Sequence, residues 1–459
     1  MDELVLERLG VPRPNAVHQV NIWLLLAFFL LPAAASAADL LEAYRDAAGY
    51  DSQFASAKAA LDAGREKLPQ GRAGLLPVLG LSANTVKNAV DYEARPSTGV
   101  IPTRYNSSGW AVSLTQPLFR WQNWASYKQS ELAVAQAETQ YAAARQDLLL
   151  RVTQGYFDVL LAQETLAAAQ AQKSAISEQL ALTQHSFEIG TTSITDTQEA
   201  QARYDLATAQ EIAAANDLLV RRRALKIVTG KEPQRLKSLR PTLAIGRPQP
   251  DDVDQWTNSA EQGNLAVQAA QASYEMADRE VGKQRAGHLP TLDLVASRGR
   301  SSQQTQMVVG ILYPGSDTSA TTIGLQLSVP LLAGGSVSSR DREAVALRDK
   351  ARADLDNAKH QAALQALQAY LGVTSGLAQV QALEQGLVFS RSALASNRLN
   401  YEVGMRANID VLNAQQQVYS TRRDLAKARL DTLVAQVRLK AAAGSLADED
   451  IAAINALLE

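Results

Sequence analysis

Four stretches of the chain alternate apolar and polar residues with period two, and nearly all the rest carries a helical period. Alternation is clearest in Trp110-Ala111-Val112-Ser113-Leu114 and in Ile323-Gly324-Leu325-Gln326-Leu327-Ser328-Val329. That is the pattern of a strand with one apolar face. The four stretches run roughly over 77–92, 105–118, 290–303 and 321–331. The segments 93–104 and 305–319 between them are rich in Gly, Pro, Ser and Thr and read as surface loops. Helices are expected over 40–72 and 252–285, each ending in an Arg-Ala-Gly-x-Leu-Pro signal. After Pro117 and Pro330 the period switches to helical. It runs unbroken from 123 to 187, close to 100 Å of helix at about 1.5 Å per residue. A second helix returns over 196–228. In the second half Val411, Val418, Leu425, Thr432 and Leu439 hold a seven-residue spacing, the seam of a coiled coil. The aligned Thr197, Tyr204, Glu211, Leu218 and Leu225 are more polar, which points that seam toward a different neighbour.

The two halves are copies of one plan. Arg72-Ala73-Gly74-Leu75-Leu76-Pro77 recurs 213 residues later as Arg285-Ala286-Gly287-His288-Leu289-Pro290, and Pro117-Leu118 recurs as Pro330-Leu331 at the same offset. Tyr156 and Tyr370, and Leu225-Lys226 with Gly230 against Leu439-Lys440 with Gly444, match at 214. A constant offset over so many landmarks is a duplication. Between the long helices of each half lies a short aromatic-Glu-aliphatic-Gly run, Phe187-Glu188-Ile189-Gly190 and Tyr401-Glu402-Val403-Gly404. Each is followed six residues after the Gly by an acid, Asp196 or Asp410. The Gly stops one helix with a positive φ, and the Asp is expected to cap the next. Both are therefore hairpin tips. The repeats are read as 38–243 and 244–447, with a Pro-rich linker over 231–250 and a C-terminal tail over 448–459.

Composition narrows the function. Net charge is −2, so there is no nucleic-acid footprint. Cysteine is absent, which excludes disulfides, thiolate metal sites, Cys nucleophiles and a lipidated Cys. The run 22–31, followed by Ala35-Ser36-Ala37, is too short to span a bilayer and reads as a secretory signal over 1–37. Asp2, Glu3 and Glu7 outnumber Arg8 and Arg13 ahead of it, so a start further downstream is expected. His18, His185, His288 and His360 are scattered without metal spacing. Gly334-Gly335-Ser336 and Val228-Thr229-Gly230-Lys231 lack the core of a phosphate loop, and Arg221-Arg222-Arg223 reads as a solvated helix face. No cofactor and no enzymatic activity are expected.

Four strands per chain cannot close a sheet, and an open edge is not viable in a membrane. Cyclic self-association solves this, closing a barrel from strands and a tube from helices. Tyr92, Tyr105, Trp110, Trp121 and Trp124 lie near strand ends, where aromatic girdles sit, although Trp121 and Trp124 also suit a simple strand-to-helix lock. On the duplicated plan, the corners Gln116-Pro117-Leu118-Phe119 and Val329-Pro330-Leu331-Leu332, and the run Tyr401 to Leu412, the chain resembles the TolC-like outer-membrane efflux (channel-tunnel) family. The resemblance covers 38–447.

It implies a mainly α protein with a membrane β-barrel: a homotrimer whose coiled-coil hairpins form an α-barrel joined to a 12-stranded β-barrel, four strands per chain. It implies a place in the outer membrane of a Gram-negative bacterium, among its lipid, with a long periplasmic portion. It implies docking to a periplasmic adaptor (membrane fusion) protein and an inner-membrane ABC or proton-driven transporter. The tips Gly190 and Gly404 are expected to meet the adaptor. The family's closed-state gate carries over to Asp196, Tyr401, Arg406 and Asp410, with Arg406 expected to pair with Asp196 of a neighbouring or adjacent hairpin. Asn413 departs, standing where close relatives carry a second acidic ring. The cargo stays open between a type I protein, such as a toxin, and drugs or other small molecules. A periplasmic coiled-coil scaffold without a pore is the reading from a different class, and the four period-two stretches speak against it.

Overall fold

The computed structural model describes residues 39–93, 100–232, 235–240, 245–308 and 311–459. The signal expected over 1–37 lies outside them, as does 94–99 of the first expected loop. The chain opens with α1 (Leu40–Tyr50), α2 (Ser52–Arg65) and α3 (Lys67–Ala73). The helix expected over 40–72 is thus three pieces. Asp51 causes the first break: its backbone is extended, and its carboxylate accepts the Phe54 N–H at 2.9 Å to cap α2. The second repeat breaks likewise into α6 (Val253–Gly263) and α7 (Leu265–Arg285) at Asn264. The Asn264 side chain caps Ala266 N at 2.8 Å and donates to the Ala442 carbonyl at 2.9 Å.

Strands β1 (Val78–Glu93), β2 (Val100–Phe119), β3 (Thr291–Gln303) and β6 (Ser316–Ser328) form one antiparallel sheet in the order β1-β2-β3-β6. The expected loops are shorter than their composition suggests. Pairing of β2 with β1 begins at Val100. Within 305–319 the chain makes a small hairpin, β4 (Gln306–Val308) and β5 (Ile311–Tyr313), before β6 starts. Thr103 ties it to β2, donating to the Met307 carbonyl at 3.2 Å. Residues opposite each other in an antiparallel sheet share a face. One face carries Leu79, Leu114, Leu294, Ile323 and Leu325. The other carries Gly80, Ser113, Ser297 and Thr322, where Ser297 and Thr322 share a 2.7 Å hydrogen bond. This is the division of a barrel wall, apolar toward lipid and polar toward the lumen.

At the corners Pro117 sits at a register shift in β2 and Pro330 lies two residues past the end of β6. The Arg120 guanidinium holds Asp293 of β3 in a two-pronged pair, 2.8 and 2.6 Å, with Asp293 buried. The first long helix, α4 (Trp121–Glu188), leaves this corner and returns as α5 (Ile194–Thr229). The Gly334-Gly335 corner likewise feeds α8 (Ser336–Glu402), which returns as α9 (Asn408–Ala442). With 68 and 67 residues, α4 and α8 are each about 100 Å long at ~1.5 Å per residue.

Along α9 the seven-residue seam is buried at Val411, Leu425, Thr432 and Leu439. The more polar seam of α5 faces its own hairpin at most positions, and at Tyr204 it also meets a different neighbour, packing with Leu412 of α9 beside Ile176 and Ala207. Leu218 and Leu225 pack on Val159 and Ala162 of α4. Glu211 accepts from Lys173 of α4 at 2.9 Å, and Lys173 also lies 5.7 Å from the Tyr204 ring. A charge pair replaces apolar contact within the same hairpin.

The main core lies at mid-height. Leu40, Ala43 and Ala47 of α1 meet Leu148, Val152, Tyr156 and Phe157 of α4 and Leu433 and Val437 of α9. The expected tail is a part of this core: α10 (Asp448–Asn455) contributes Ile451 and Ile454, and Leu458 bridges to Leu239. Tyr156 is fully buried, and its hydroxyl donates to the Lys237 carbonyl at 3.0 Å. Burial drives that hydroxyl's pKa well above its ordinary value, so it stays a donor.

Asp51 ties this core together. Its carboxylate also accepts from Arg151 of α4 at 2.5 Å. Burial pushes its pKa up, but Arg151 and the Phe54 N–H outweigh that and hold it below the usual carboxylate value. A depressed native pKa adds stability above the unfolded value near 4, and that stability is lost as pH falls through the native value. Asp51→Ala removes a cap and leaves Arg151 with fewer partners. It should lower stability by about 2 kcal/mol in urea melts at pH 7. The gap between wild type and variant should narrow as the pH falls below 4; a constant gap would contradict this role.

Candidate functional site at the hairpin tips

The two tips have the same backbone. At the first, Gly190 takes φ +76° and donates to the Phe187 carbonyl at 2.9 Å, and Thr191 N reaches the Ser186 carbonyl at 2.9 Å. At the second, Gly404 takes φ +74° and donates to Tyr401 at 3.0 Å, and Met405 N reaches Asn400 at 2.8 Å. A Cβ at either glycine would meet nothing within 4 Å. The glycines are therefore set by backbone conformation and not by crowding within the chain. Around them the surface is apolar: Ile189 is 63 % exposed, Val403 61 % and Met405 78 %.

The acids after the glycines do not cap as expected. Ser193 is the cap of α5: its Oγ accepts the Thr195 N–H at 2.9 Å, while the Asp196 carboxylate reaches back to Ser193 N at 3.3 Å. This is a capping box, with Asp196 one turn inside the helix. Asp410 occupies the same third position of α9, behind Ala407, which offers no side-chain cap. Six residues after the Gly is too late for a cap, which must precede the first helical residue. Both acids still face the positive end of a helix dipole.

Of the four gate residues, one chain brings Arg406 and Asp410 together, at 3.4 Å on the solvent side. An exposed pair of that length contributes at most about 1 kcal/mol. Asp196 is engaged with Ser193, and Tyr401 contributes its carbonyl to the turn. Asn413 is held from the other hairpin. Arg203 of α5 donates to Asn413 Oδ1 at 3.1 Å and to Gln416 Oε1 at 3.0 Å.

Just inside the tips lies a buried polar lock that the sequence pattern did not single out. Asn408, the first residue of α9, is 4 % exposed. It accepts from Gln179 at 2.6 Å and donates to Thr183 Oγ1 at 3.2 Å, both on α4. Thr183 in turn donates to the Gln179 carbonyl at 2.9 Å. A signal was present: at the repeat offset Asn408 matches Ile194, a polar residue in place of an apolar one. Further up, Tyr419 donates to the Ala171 carbonyl at 3.1 Å, and Arg438 donates to Gln154 at 3.0 Å. The two hairpins of one chain are thus joined by side-chain hydrogen bonds along much of their length.

A four-stranded sheet with one apolar face, set on hairpins about 100 Å long, is one chain's share of an outer-membrane duct. The family model for outer membrane efflux proteins matches residues 43–231 and 256–445, one match per repeat. Outer membrane protein TolC of Vibrio cholerae is 32 % identical over 432 residues, covering 94 % of this chain and 96 % of the relative. Alkaline protease secretion protein AprF of Pseudomonas aeruginosa is 33 % identical over 441 residues, covering 95 % and 90 %. Among solved structures, the Campylobacter jejuni CmeC outer membrane channel superposes with a TM-score of 0.75 at 16 % identity, over 92 % of this chain and 90 % of that one. The chain belongs to the outer membrane efflux protein family. It is an outer-membrane channel protein with a long periplasmic helical portion, and not an enzyme.

Removing the Asn408 amide leaves Gln179 and Thr183 facing a buried gap, a cost of about 1–3 kcal/mol. Asn408→Ala should therefore loosen the tips. Amide exchange over 179–193 and 400–412 should speed up at least tenfold while the mid-height core is unchanged. Unaltered exchange at the tips would show that the lock is not holding them.

Proposed function

We propose that this chain, as a homotrimer, is the outer-membrane duct of a tripartite exporter that secretes a protein by the type I route. The observation that carries the cargo assignment is the pair of relatives named for protease secretion. AprF is 33 % identical over 95 % of this chain, and the Dickeya chrysanthemi proteases secretion protein PrtF 32 % identical over 91 %. Three copies of the four-stranded sheet close a 12-stranded barrel, and their hairpins close a tube. An inner-membrane ABC transporter and a periplasmic adaptor supply energy and continuity. The test is deletion of the gene in its host. A specific polypeptide should disappear from the culture medium, with little change in sensitivity to dyes and detergents. Sensitisation without loss of any secreted polypeptide would assign the duct to small-molecule efflux.

The tips are the adaptor-facing end in this reading. Their exposed apolar residues around Gly190 and Gly404 suit a hairpin partner laid tip to tip or in the adjoining grooves. Gly190→Trp or Gly404→Trp costs only about 1–2 kcal/mol of backbone strain, because nothing among the described residues occupies the space. Each should abolish export while trimer and membrane insertion persist. Loss of the trimer would make these glycines folding elements only.

The gate is assigned to Asp196, Tyr401, Arg406 and Asp410. The weak Arg406–Asp410 contact leaves the guanidinium free to exchange onto Asp196 of a neighbouring hairpin. Three Asp410 carboxylates around one axis attract cations. Multivalent cations applied from the periplasmic side should block the pore in planar bilayers, and Asp410→Asn should remove most of the block. Because Asn413 supplies no second ring, Asn413→Asp should tighten it. The same change also places a charge beside Arg203. A block indifferent to both substitutions puts the constriction elsewhere.

A further inference from the structure

The lipid-facing side of the sheet carries two arginines that no duct function requires. Arg298 lies opposite Val112 of β2 and Thr321 of β6, and Arg300 opposite Trp110 and Ser319. All six share the face of Leu114 and Ile323. Both arginines are exposed. Two positions apart on one strand, their Cα atoms stand about 6.6 Å from each other on one face. Arg300 reaches Asp317 at 2.8 Å, whereas Arg298 has no side-chain hydrogen bond or ion pair among the described residues.

Their level on the barrel is fixed by the apolar residues below. Leu325, Leu327, Leu331 and Leu332 are all more than 60 % exposed and lie on the helix side of Thr321. The seven residues from Thr321 to the end of β6 at Ser328 rise about 18 Å at ~3.3 Å each and a tilt near 40°, and Leu331 and Leu332 just past the strand end continue the apolar band, about 25 Å tall, toward the periplasm. The arginines therefore stand at its upper rim, on the side away from the periplasmic helices. Trp110 beside them marks the same interfacial level. A lipid-facing arginine is costly in mid-bilayer and nearly free at the interface, where its planar fork can engage a phosphate.

We propose that Arg298 and Arg300 form a site for a phosphate-bearing lipid headgroup of the outer leaflet, with the Thr321 and Ser319 hydroxyls able to complete its hydrogen bonds. The site needs no change in the sheet: the two guanidiniums project from the same face, and neither rung at Val112–Arg298–Thr321 or Trp110–Arg300–Ser319 carries an acid. Asp317, one rung further out, competes with the lipid for Arg300. Its carboxylate makes the site tunable by a single substitution.

The test is lipid retention by the detergent-solubilised, full-length mature assembly, read by native mass spectrometry. Three probes are compared: bis-phosphorylated lipid A, the same lipid with both phosphates removed, and inorganic phosphate. The wild-type protein should retain the phosphorylated lipid at least tenfold better than the dephosphorylated one, and inorganic phosphate should not displace it at equal concentration. Arg298→Gln with Arg300→Gln should cut retention about tenfold while pore conductance is unchanged. Asp317→Asn, which leaves both arginines in place, should raise retention severalfold and serves even where the double variant fails to assemble. Equal retention of the two lipids, displacement by free phosphate, or indifference to Asp317→Asn overturns the proposal.

Discussion

A backbone N–H or C=O in hydrocarbon has no water to bond, so every one must find a partner within the protein. The sheet of this chain satisfies that rule only in its middle. β2 and β3 are paired on both sides, while β1 and β6 each present one open edge. The rest of the architecture follows from closing those edges. The order β1-β2-β3-β6 puts the strand that begins the first repeat and the strand that ends the second on opposite rims. Copies related by rotation can then pair β6 of one with β1 of the next. The same rotation sets the hairpins side by side.

The helices answer to a different balance. A hairpin about 100 Å long has far more surface than core, so its interior is thin. Ala200, Ala207 and Ala214 are buried along α5, letting it approach α4 closely. Where apolar contact runs out, polar links take over: Lys173 to Glu211 within a hairpin, Arg203 to Asn413 and Tyr419 to Ala171 between hairpins. Each is worth little alone. A structure held in this way is stiff along its axis, where backbone hydrogen bonds run, and yielding across it. Lateral movement of one hairpin against another asks only that a few such links exchange. The bulk of the apolar core is gathered instead at mid-height, where α1 and α10 brace the hairpins around Tyr156 and Leu433.

The duplication explains the plan, and the two copies have diverged at their tips. Both repeats keep the corner prolines and the tip glycines because both need the same turns. They differ where the two hairpins meet. Asn408 stands against Ile194, and only the second tip has the Arg406–Asp410 pair, while only the first has a side-chain cap, Ser193. The first tip is therefore the better anchored by its own sequence, and the second is anchored by its neighbour through Gln179 and Thr183.

What the sequence alone determined was whatever depends on local backbone and face. Period two marked the strands, the helical period marked α4 and α5 to within a few residues, and a seven-residue spacing marked the seam of α9. Gly190 and Gly404 marked the tips because a positive φ is a property of the residue itself. The net charge and the absence of Cys excluded whole classes of chemistry. What the tertiary structure decided was partnership. Arg120 with Asp293, Gln179 with Asn408, and Arg151 with Asp51 lie 173, 229 and 100 residues apart. Periodicity tells which face of a helix is buried, but not what it is buried against. It placed the polar seam of α5 toward another neighbour, which holds at Tyr204 beside Leu412, while at Glu211 Lys173 of the same hairpin supplies the missing charge. It read Asp196 and Asp410 as caps, when cap identity turns on where the first helical residue falls, a matter of one turn of backbone. Short-range preferences fix the elements; the register between elements, set by packing in three dimensions, fixes which side chains act together.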